Sequence, residues 1–225
     1  MAKHPWVILL DIDGTLLTVN RGFNRELLRK LLDRHQINYP EMEQDSFSGR
    51  TDHDIFTSFL VNHDYDEGLY RSFKTSYLRS LSKRLTPERV TRHDYVDETI
   101  TYFSREQFIP GLLTGNYPEA ASYKLRAANI SLNYSIGAFG EFDRDRNQLP
   151  YLAIDQFKEK LGIEPDPSRF VIIGDTPRDV ICAKNAGMKS VAVTTGKFTE
   201  DKLAEYNPDL IIKNLATPHL WFSAL

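Results

Sequence analysis

Three short polar clusters contain the residues of this sequence that could carry out chemistry. Each cluster follows an apolar run that predicts a buried strand of a parallel sheet. Ligands of an open parallel sheet bind beyond the carboxyl ends of its strands, so we expect the three clusters to line one crevice. The clusters are Asp11-Ile12-Asp13-Gly14-Thr15, Thr114-Gly115-Asn116, and Gly174-Asp175-Thr176-Pro177-Arg178-Asp179.

Four aspartates in these clusters predict a divalent cation. The mutual repulsion of four close carboxylates is severe unless a cation lies between them. All the ligands would be oxygen atoms, with no His or Cys nearby in the sequence, and this favours magnesium over zinc. Because magnesium commonly bridges carboxylates and phosphate oxygens, the expected substrate is a phosphate ester, a small phosphorylated metabolite. The predicted ligands are Asp11, Asp13, Asp175 and Asp179.

The same clusters contain groups that can hold a transferring phosphoryl group. The backbone amides of Gly14 and Thr15 follow Asp11, and Gly14 permits a sharp turn and a close approach of the backbone. Thr114 and the amides of Gly115 and Asn116 offer a second set of hydrogen-bond donors. A carboxylate can be a nucleophile, and a second carboxylate two residues further on can be an acid.

The elements that must position these clusters alternate between strand and helix. Such alternation is typical of an α/β fold, here a three-layer α/β/α, Rossmann-like core with a doubly wound parallel sheet. The predicted strands cover residues 6–10, 109–114, 170–173, 190–194 and 210–212, and the predicted helices between them cover 119–128, 177–186 and 199–206.

The stretch from residue 19 to residue 93 is predicted to be a helical cap domain inserted in that core. Apolar residues recur at helical spacing from Phe23 to Gln36, with Asn20 or Asn24 as the cap, and again at 55–60 and 69–85. We predict no strand between residues 41 and 92. The expected core domain is therefore residues 1–18 and 94–225, and short hinges join it to the cap.

The composition is that of an ordinary globular protein. Of 225 residues, 41% are apolar and 26% are charged, and the formal net charge is −3. This charge provides no strong field for a polyanion or a membrane surface, so we expect neither nucleic acid nor membrane as a partner. Cys182 is the single cysteine, which fits a reducing compartment. We expect a soluble cytoplasmic protein, as a monomer or a homodimer.

The order of the three clusters resembles that of the haloacid dehalogenase superfamily, most of all its phosphoglycolate-phosphatase-type members, which carry a helical cap after the first strand. The segment from Asp11 to Leu16 is similar to the first motif, Thr114-Gly115 to the second, and 174–179 to the fourth. The resemblance implies that Asp11 is a nucleophile that forms an aspartyl-phosphate intermediate and that Asp13 is the general acid and base. It also implies that Asp175 is a metal ligand and Asp179 a supporting ligand.

The third motif of the superfamily, usually a lysine followed by proline, is altered in this sequence. The corresponding segment contains Arg146-Asn147-Gln148-Leu149-Pro150. Arg146 is our candidate for the cation beside the nucleophile, and Lys124 is the alternative. Either side chain can neutralise a phosphoryl group, but the planar guanidinium of arginine can bind two oxygens at once.

Other interpretations remain open at this level. The segment from Ser48 to His53 resembles the part of the cap that faces the active site, which makes Arg50 a candidate substrate ligand, but Thr51 or Asp52 can equally be a plain helix cap. A phosphomutase of the same superfamily is the nearest competing function. A 2-haloacid dehalogenase would leave Asp13 and Asp175 without a role, and a non-catalytic binding protein would not need the complete set of motifs.

Overall fold

The computed structural model describes residues 4–43, 46–61, 66–141 and 143–225. Its centre is a sheet of six parallel strands in the order β5-β4-β1-β6-β7-β8. A separate two-stranded antiparallel ribbon pairs β2 with β3. The strands are β1 (Trp6–Leu10), β2 (Leu17–Val19), β3 (Val90–Arg92), β4 (Phe108–Thr114), β5 (Ile136–Phe139), β6 (Phe170–Gly174), β7 (Lys189–Val193) and β8 (Leu210–Ile212).

Helices cover both faces of the sheet because its strands are apolar on both sides. Alternate residues of β1 point to opposite faces, and Val7 and Leu9 belong to a different apolar cluster from Ile8 and Leu10. The helices are α1 (Arg21–Arg34), α2 (Asp52–Phe59), α3 (Glu67–Arg84), α4 (Val96–Phe103), α5 (Pro118–Ala127), α6 (Leu149–Leu161), α7 (Pro177–Asn185), α8 (Glu200–Ala204) and α9 (Pro218–Phe222).

The two apolar clusters show which helices pack on which face of the sheet. Helices α6 and α7 pack on the face that carries Val7 and Leu9, whereas α4, α5 and α9 pack on the face that carries Ile8 and Leu10. The prediction of a three-layer α/β/α core with a parallel sheet is therefore confirmed.

Helices α1, α2 and α3 form a helical segment between the two strands of the ribbon. The ribbon pairs Leu17 with Arg92 and Val19 with Val90, so the chain leaves and re-enters the core at one place. Aromatic rings fill the interior of the segment, with Phe56 in edge-to-face contact with Phe73 and Tyr77. The boundaries of a separate cap domain, at residues 18/19 and 93/94, stay a prediction.

Several predicted elements are found within a residue or two of their expected bounds, and others were not predicted. The expectation of no strand between residues 41 and 92 is wrong, because β3 lies there as the partner of β2. Helix α6 was missed although Pro150 lies in its first turn and Gly162, with φ +63°, ends it. Strand β5 and helices α4 and α9 were also missed. In the described part of the chain, no helix is both long and apolar enough to cross a bilayer.

Candidate active site

The three polar clusters meet because their strands are neighbours in the sheet. Strand β1 lies between β4 and β6, and Asp11, Thr114 and Asp175 stand at the ends of these three strands. The amide of Asp11 donates to the carbonyl of Ile173 at 3.0 Å, which fixes the end of β1 against β6. All three polar residues line one cavity of about 620 Å³.

Asp11, Asp175 and Asp179 form a buried carboxylate cluster. One oxygen of each lies within 4.8 Å of the others. Burial raises the pKa of Asp175 to about 9, and the charges of Asp11 and Asp179 add to the shift. Burial also raises the pKa of Asp11 to about 7, although the charge of Arg146 opposes this change. Three crowded carboxylates of this kind fit a hard cation, which would favour their ionised forms.

Two glycines enclose the side chain of Asp175. A Cβ atom at Gly14, which has φ +87°, or at Gly196 would collide with the Asp175 carboxylate. The hydroxyl of Thr195 donates to the carbonyl of Gly14 at 2.6 Å and holds the two loops together. The Oδ1 atom of Asp175 is buried without a hydrogen-bond partner within the described chain. A buried carboxylate oxygen left in this way is a ready ligand for a cation.

Arg146 lies between two members of the carboxylate cluster. Its Nη2 atom is 2.6 Å from Oδ1 of Asp179 and 3.2 Å from Oδ1 of Asp11. The other oxygen of Asp179 accepts from the amide and the hydroxyl of Thr176 at 3.0 and 2.7 Å. Asp179 thus closes the capping box at the start of α7 and also anchors the guanidinium beside Asp11.

Lys124 occupies a second cation position, beside Asp13. Its Nζ atom is 2.6 Å from Oδ2 of Asp13 and 2.5 Å from Oδ1 of Asn116. The amide group of Asn116 donates to Asp13 and to Thr114, at 2.8 and 2.7 Å. Lys124 is on α5 and only 5% exposed, so it is part of the site and not of the surface. The two cations expected as alternatives are both present, each beside a different aspartate.

The start of α2 is docked on the loops that carry these groups. Thr51 caps α2 and its hydroxyl also donates to the carbonyl of Asp143 at 3.0 Å. The amide of Asp52 donates to Gly115 at 2.6 Å, and the Asp52 carboxylate accepts from the amide of Tyr117 at 2.9 Å. Thr51 is therefore a helix cap and a contact to the core at once. Burial raises the pKa of Asp52 to about 6, while Lys124 opposes the shift.

The predicted substrate ligands differ in their positions. Gly14, Gly115, Asn116 and Arg50 line the cavity. Arg50 also pairs with Asp54, with Nε 2.5 Å from Oδ2. Thr15 is completely buried and is not among the residues that line the cavity.

Sequence reasoning missed part of the cavity wall. Strand β7 also ends at the site, and the Thr-Gly pair after it was a signal comparable to Thr114-Gly115. The residues contributed by this loop and by the helical segment include Arg21, Arg25, Phe47, Phe56, Tyr77, Thr195, Gly196 and Lys197.

Comparisons with known proteins agree with this geometry. A family model described as HAD-hydrolase-like matches residues 150–218. The chain is 23% identical to the pyrophosphatase PpaX of Bacillus cereus (strain B4264) over 209 residues, which cover 93% of this chain and 92% of the relative.

Solved structures with the same fold match nearly the whole length of the chain. A predicted phosphoglycolate phosphatase from Haemophilus somnus superposes with a TM-score of 0.72 at 16% identity, covering 99% of both chains. A predicted phosphatase from Clostridium acetobutylicum gives a TM-score of 0.71 at 19% identity, covering 99% of this chain and all of the other.

The fold, the carboxylate cluster and these similarities define the class of the protein. The chain is similar to haloacid-dehalogenase-like hydrolases in its fold and in the segment that the family model matches. These similarities indicate an enzyme of the hydrolase class that acts on phosphate esters.

Proposed function

We propose that this protein is a magnesium-dependent phosphatase that hydrolyses a small phosphorylated metabolite through an aspartyl-phosphate intermediate on Asp11. The observation that carries the proposal is the placement of two aspartates and two cations in one cavity. Arg146 lies 3.2 Å from Asp11, and Lys124 lies 2.6 Å from Asp13. The nucleophile and the acid therefore have separate electrostatic partners, as two different chemical roles require.

In this proposal, Asp11 and Asp175 hold the magnesium ion. Oδ1 of Asp175 has no hydrogen-bond partner among the described residues, and one carboxylate oxygen of Asp175 lies within 4.8 Å of one of Asp11. Both oxygens of Asp179 already accept hydrogen bonds, from Arg146 and from Thr176, so Asp179 supports the site mainly by fixing Arg146. Asp13 was also predicted to be a metal ligand. Its Oδ2 atom accepts hydrogen bonds from Lys124 and Asn116. The ion would neutralise charge on the phosphoryl oxygens.

The protein residues carry out the steps of the reaction. A carboxylate oxygen of Asp11 forms a bond to phosphorus as the ester P–O bond breaks, and Asp13 gives a proton to the leaving oxygen. Asp13 then takes a proton from water, which attacks the aspartyl phosphate and releases inorganic phosphate and free Asp11. Arg146, Thr114 and the amides of Gly14 and Gly115 stabilise the charge on the phosphoryl oxygens in both steps.

The helical segment acts as a cap in this proposal. Residues 51–53 bind the loops that carry Asn116 and Arg146, and the cavity lies between the segment and the sheet. Opening of the segment would admit the substrate, and closing would exclude water. We propose that this cap is a separate domain that spans residues 19–93.

Phosphate release from a panel of phosphorylated metabolites, with and without magnesium, tests the proposed function. The wild-type protein should release phosphate only with magnesium, whereas Asp11→Asn should release none and form no acid-stable phosphoprotein. Asp155→Asn, which removes an exposed carboxylate on α6, is the matched control and should behave as wild type. Turnover by Asp11→Asn at the wild-type rate would refute the covalent mechanism. Conversion of a substrate into its phosphate isomer without net phosphate release would instead identify a phosphomutase.

A further inference from the structure

We propose that Arg21, Arg25 and Lys197 bind a second anionic group of the substrate, a carboxylate or a phosphate on the leaving group. This inference rests on the proposed phosphatase function, since it concerns the part of the substrate that leaves. The three side chains line the cavity that contains Asp11; Arg21 and Lys197 are exposed and Arg25 is half-buried, whereas Lys124 and Arg146 are buried.

The three cations approach the cavity from two sides. Arg21 and Arg25 are four residues apart on α1, so their side chains share one face of the helix. Lys197 follows β7 on the opposite, sheet side, and its ammonium group donates to the hydroxyl of Ser46. The loop after β7 thus contacts the chain that follows α1, and both stretches line the cavity. An anion between these side chains would touch both walls at once.

Arg21 occupies an electrostatically unfavourable position, and its charge also acts on Lys197. Arg21 is the first residue of α1, where the helix dipole disfavours positive charge, and the first turn contains no acidic residue. Partial burial lowers the pKa of Lys197, Asp175 opposes the shift, and the charge of Arg21 adds to the lowering. Lys197 therefore experiences repulsion from Arg21 in addition to a larger attraction from Asp175. A bound anion would replace this repulsion by attraction.

The acidic groups of the cavity are less exposed than Arg21 and Lys197, although the charge of Asp175 reaches Lys197. Among the described residues, its acidic lining is Asp11, Asp13, Asp52 and Asp175, all of which are buried or half-buried. The wall also contains Phe47, Ile55, Phe56 and Tyr77, which offer an apolar surface to the organic part of a substrate. The chain has a net charge of −3, so the presence of these three cations on the cavity wall does not follow from its composition. Together these features fit an organic monophosphate whose leaving group carries a second negative charge.

Matched aryl esters test this site. Phenyl phosphate has a neutral leaving group, 4-carboxyphenyl phosphate adds a carboxylate, and benzene-1,4-diyl bisphosphate adds a phosphate. The wild-type protein should have a kcat/KM about tenfold higher for at least one of the anionic esters than for phenyl phosphate, the size of a hydrogen bond to a charged group. The better of the two anionic esters shows which anion the site prefers. High salt should reduce the preference.

Arg21→Gln and Lys197→Gln should each lower that preference, and the double variant should abolish it. Lys213→Gln is the control, because it removes one positive charge from an exposed position outside the cavity. It should keep the wild-type ratio. Circular dichroism checks the fold of each variant. Equal kcat/KM values for the three esters in the wild type, or an unchanged preference in the double variant, would overturn the proposal.

A binding measurement without turnover tests the anion site independently of the proposed phosphatase activity. In an Asp11→Asn background, calorimetry measures the affinity for 4-carboxyphenyl phosphate, for the bisphosphate and for phenyl phosphate without turnover. Tighter binding of an anionic ester, lost when Arg21 and Lys197 are also replaced, would support the anion site even if the wild type hydrolysed none of the esters. Equal affinities for the three esters would refute the site even if all were hydrolysed.

Discussion

Lys124 and Asp13 form an ion pair in which Nζ lies 2.6 Å from Oδ2, although 111 residues separate them in the chain. Lys124 also binds Asn116, which in turn binds Asp13 and Thr114. The lysine therefore holds the proposed general acid and the phosphoryl-binding loop in one arrangement. Arg146 makes the corresponding contact to Asp11, so each of the two aspartates has its own cation.

The first prediction concerns Lys124. Lys124→Met, which keeps the length of the side chain without its charge, should release Asp13 and slow hydrolysis about 10- to 100-fold, within the range of general acid catalysis. The loss should be larger for phenyl phosphate than for 2,4-dinitrophenyl phosphate, whose leaving group needs no proton. Steady-state kinetics on both esters measures the difference. An exposed control is Lys158→Met. Equal losses on both esters would argue against a link between Lys124 and Asp13.

The second prediction concerns Arg146. Arg146→Ala should reduce turnover about 10²- to 10³-fold, the usual effect of removing one donor to a developing charge. It also leaves Asp179 without its ion-pair partner. Arg146→Lys should recover part of the activity, because the charge returns without the planar fork. Arg169→Ala provides the control, since Arg169 stacks on Trp6 outside the active-site cavity. Near-normal turnover by Arg146→Ala would remove this residue from the mechanism.

The third prediction concerns pH and metal. The pKa values of Asp11 and Asp175 are raised in the fold to about 7 and about 9. A raised pKa in the folded state contributes stability at low pH that is lost as pH rises through the folded value. In chelator, the melting temperature should therefore fall between pH 5 and pH 9, and magnesium should restore it most at the alkaline end.

Asp175→Asn tests the origin of that pH dependence. Differential scanning calorimetry in chelator should show a flatter profile for this variant, together with a smaller response to magnesium. Asp155→Asn changes an exposed carboxylate and should reproduce the wild-type profile. If Asp175→Asn kept the full wild-type slope, the buried carboxylate cluster would not be its source.

The fourth prediction concerns the glycines around Asp175. Gly196→Ala should reduce both stability and activity, because the new Cβ would displace the Asp175 carboxylate, and such overpacking costs about 1 to 3 kcal/mol. Gly162→Ala is the control. Gly162 has φ +63°, but a methyl group added there would meet no heavy atom within 4 Å, so this variant should lose about 1 kcal/mol of stability and no activity. Urea unfolding and kinetics on both variants would reveal whether the collision matters.

The sheet and the carboxylate cluster could be predicted from the sequence because their signals are local. An apolar run followed by Asp predicts both a buried strand and the edge at which it ends, and this applies to Asp11 and Asp175 alike. The long-range contacts of the site could not be predicted in this way. Nothing in the sequence near Lys124 indicates that it faces Asp13, because the direction of its side chain depends on how α5 packs against the sheet.

Helix α6 was not predicted from the sequence for a different reason. Its buried residues, Leu149, Ala153 and Phe157, recur every four positions, but charged residues surround them and Pro150 lies at the start. Proline is well accommodated in the first turn of a helix, so it was a start signal and not a break. The contact of Asp52 with Tyr117 joins residues 65 positions apart, and no local pattern predicts it.

The ribbon of β2 and β3 determines how the helical segment can change over evolutionary time. Its strands bring residues 17–19 beside residues 90–92, so everything between them is a loop with fixed ends. The entropy of closing a loop grows slowly with its length, by about 0.6 kcal/mol per doubling. Insertions or deletions inside the segment would therefore add little closure entropy as long as the contacts of residues 51–53 with the core loops are kept. Arg21 and Arg25 can change together with that segment while Asp11, Thr114 and Asp175 are retained. The same reaction could then act on substrates with different leaving groups.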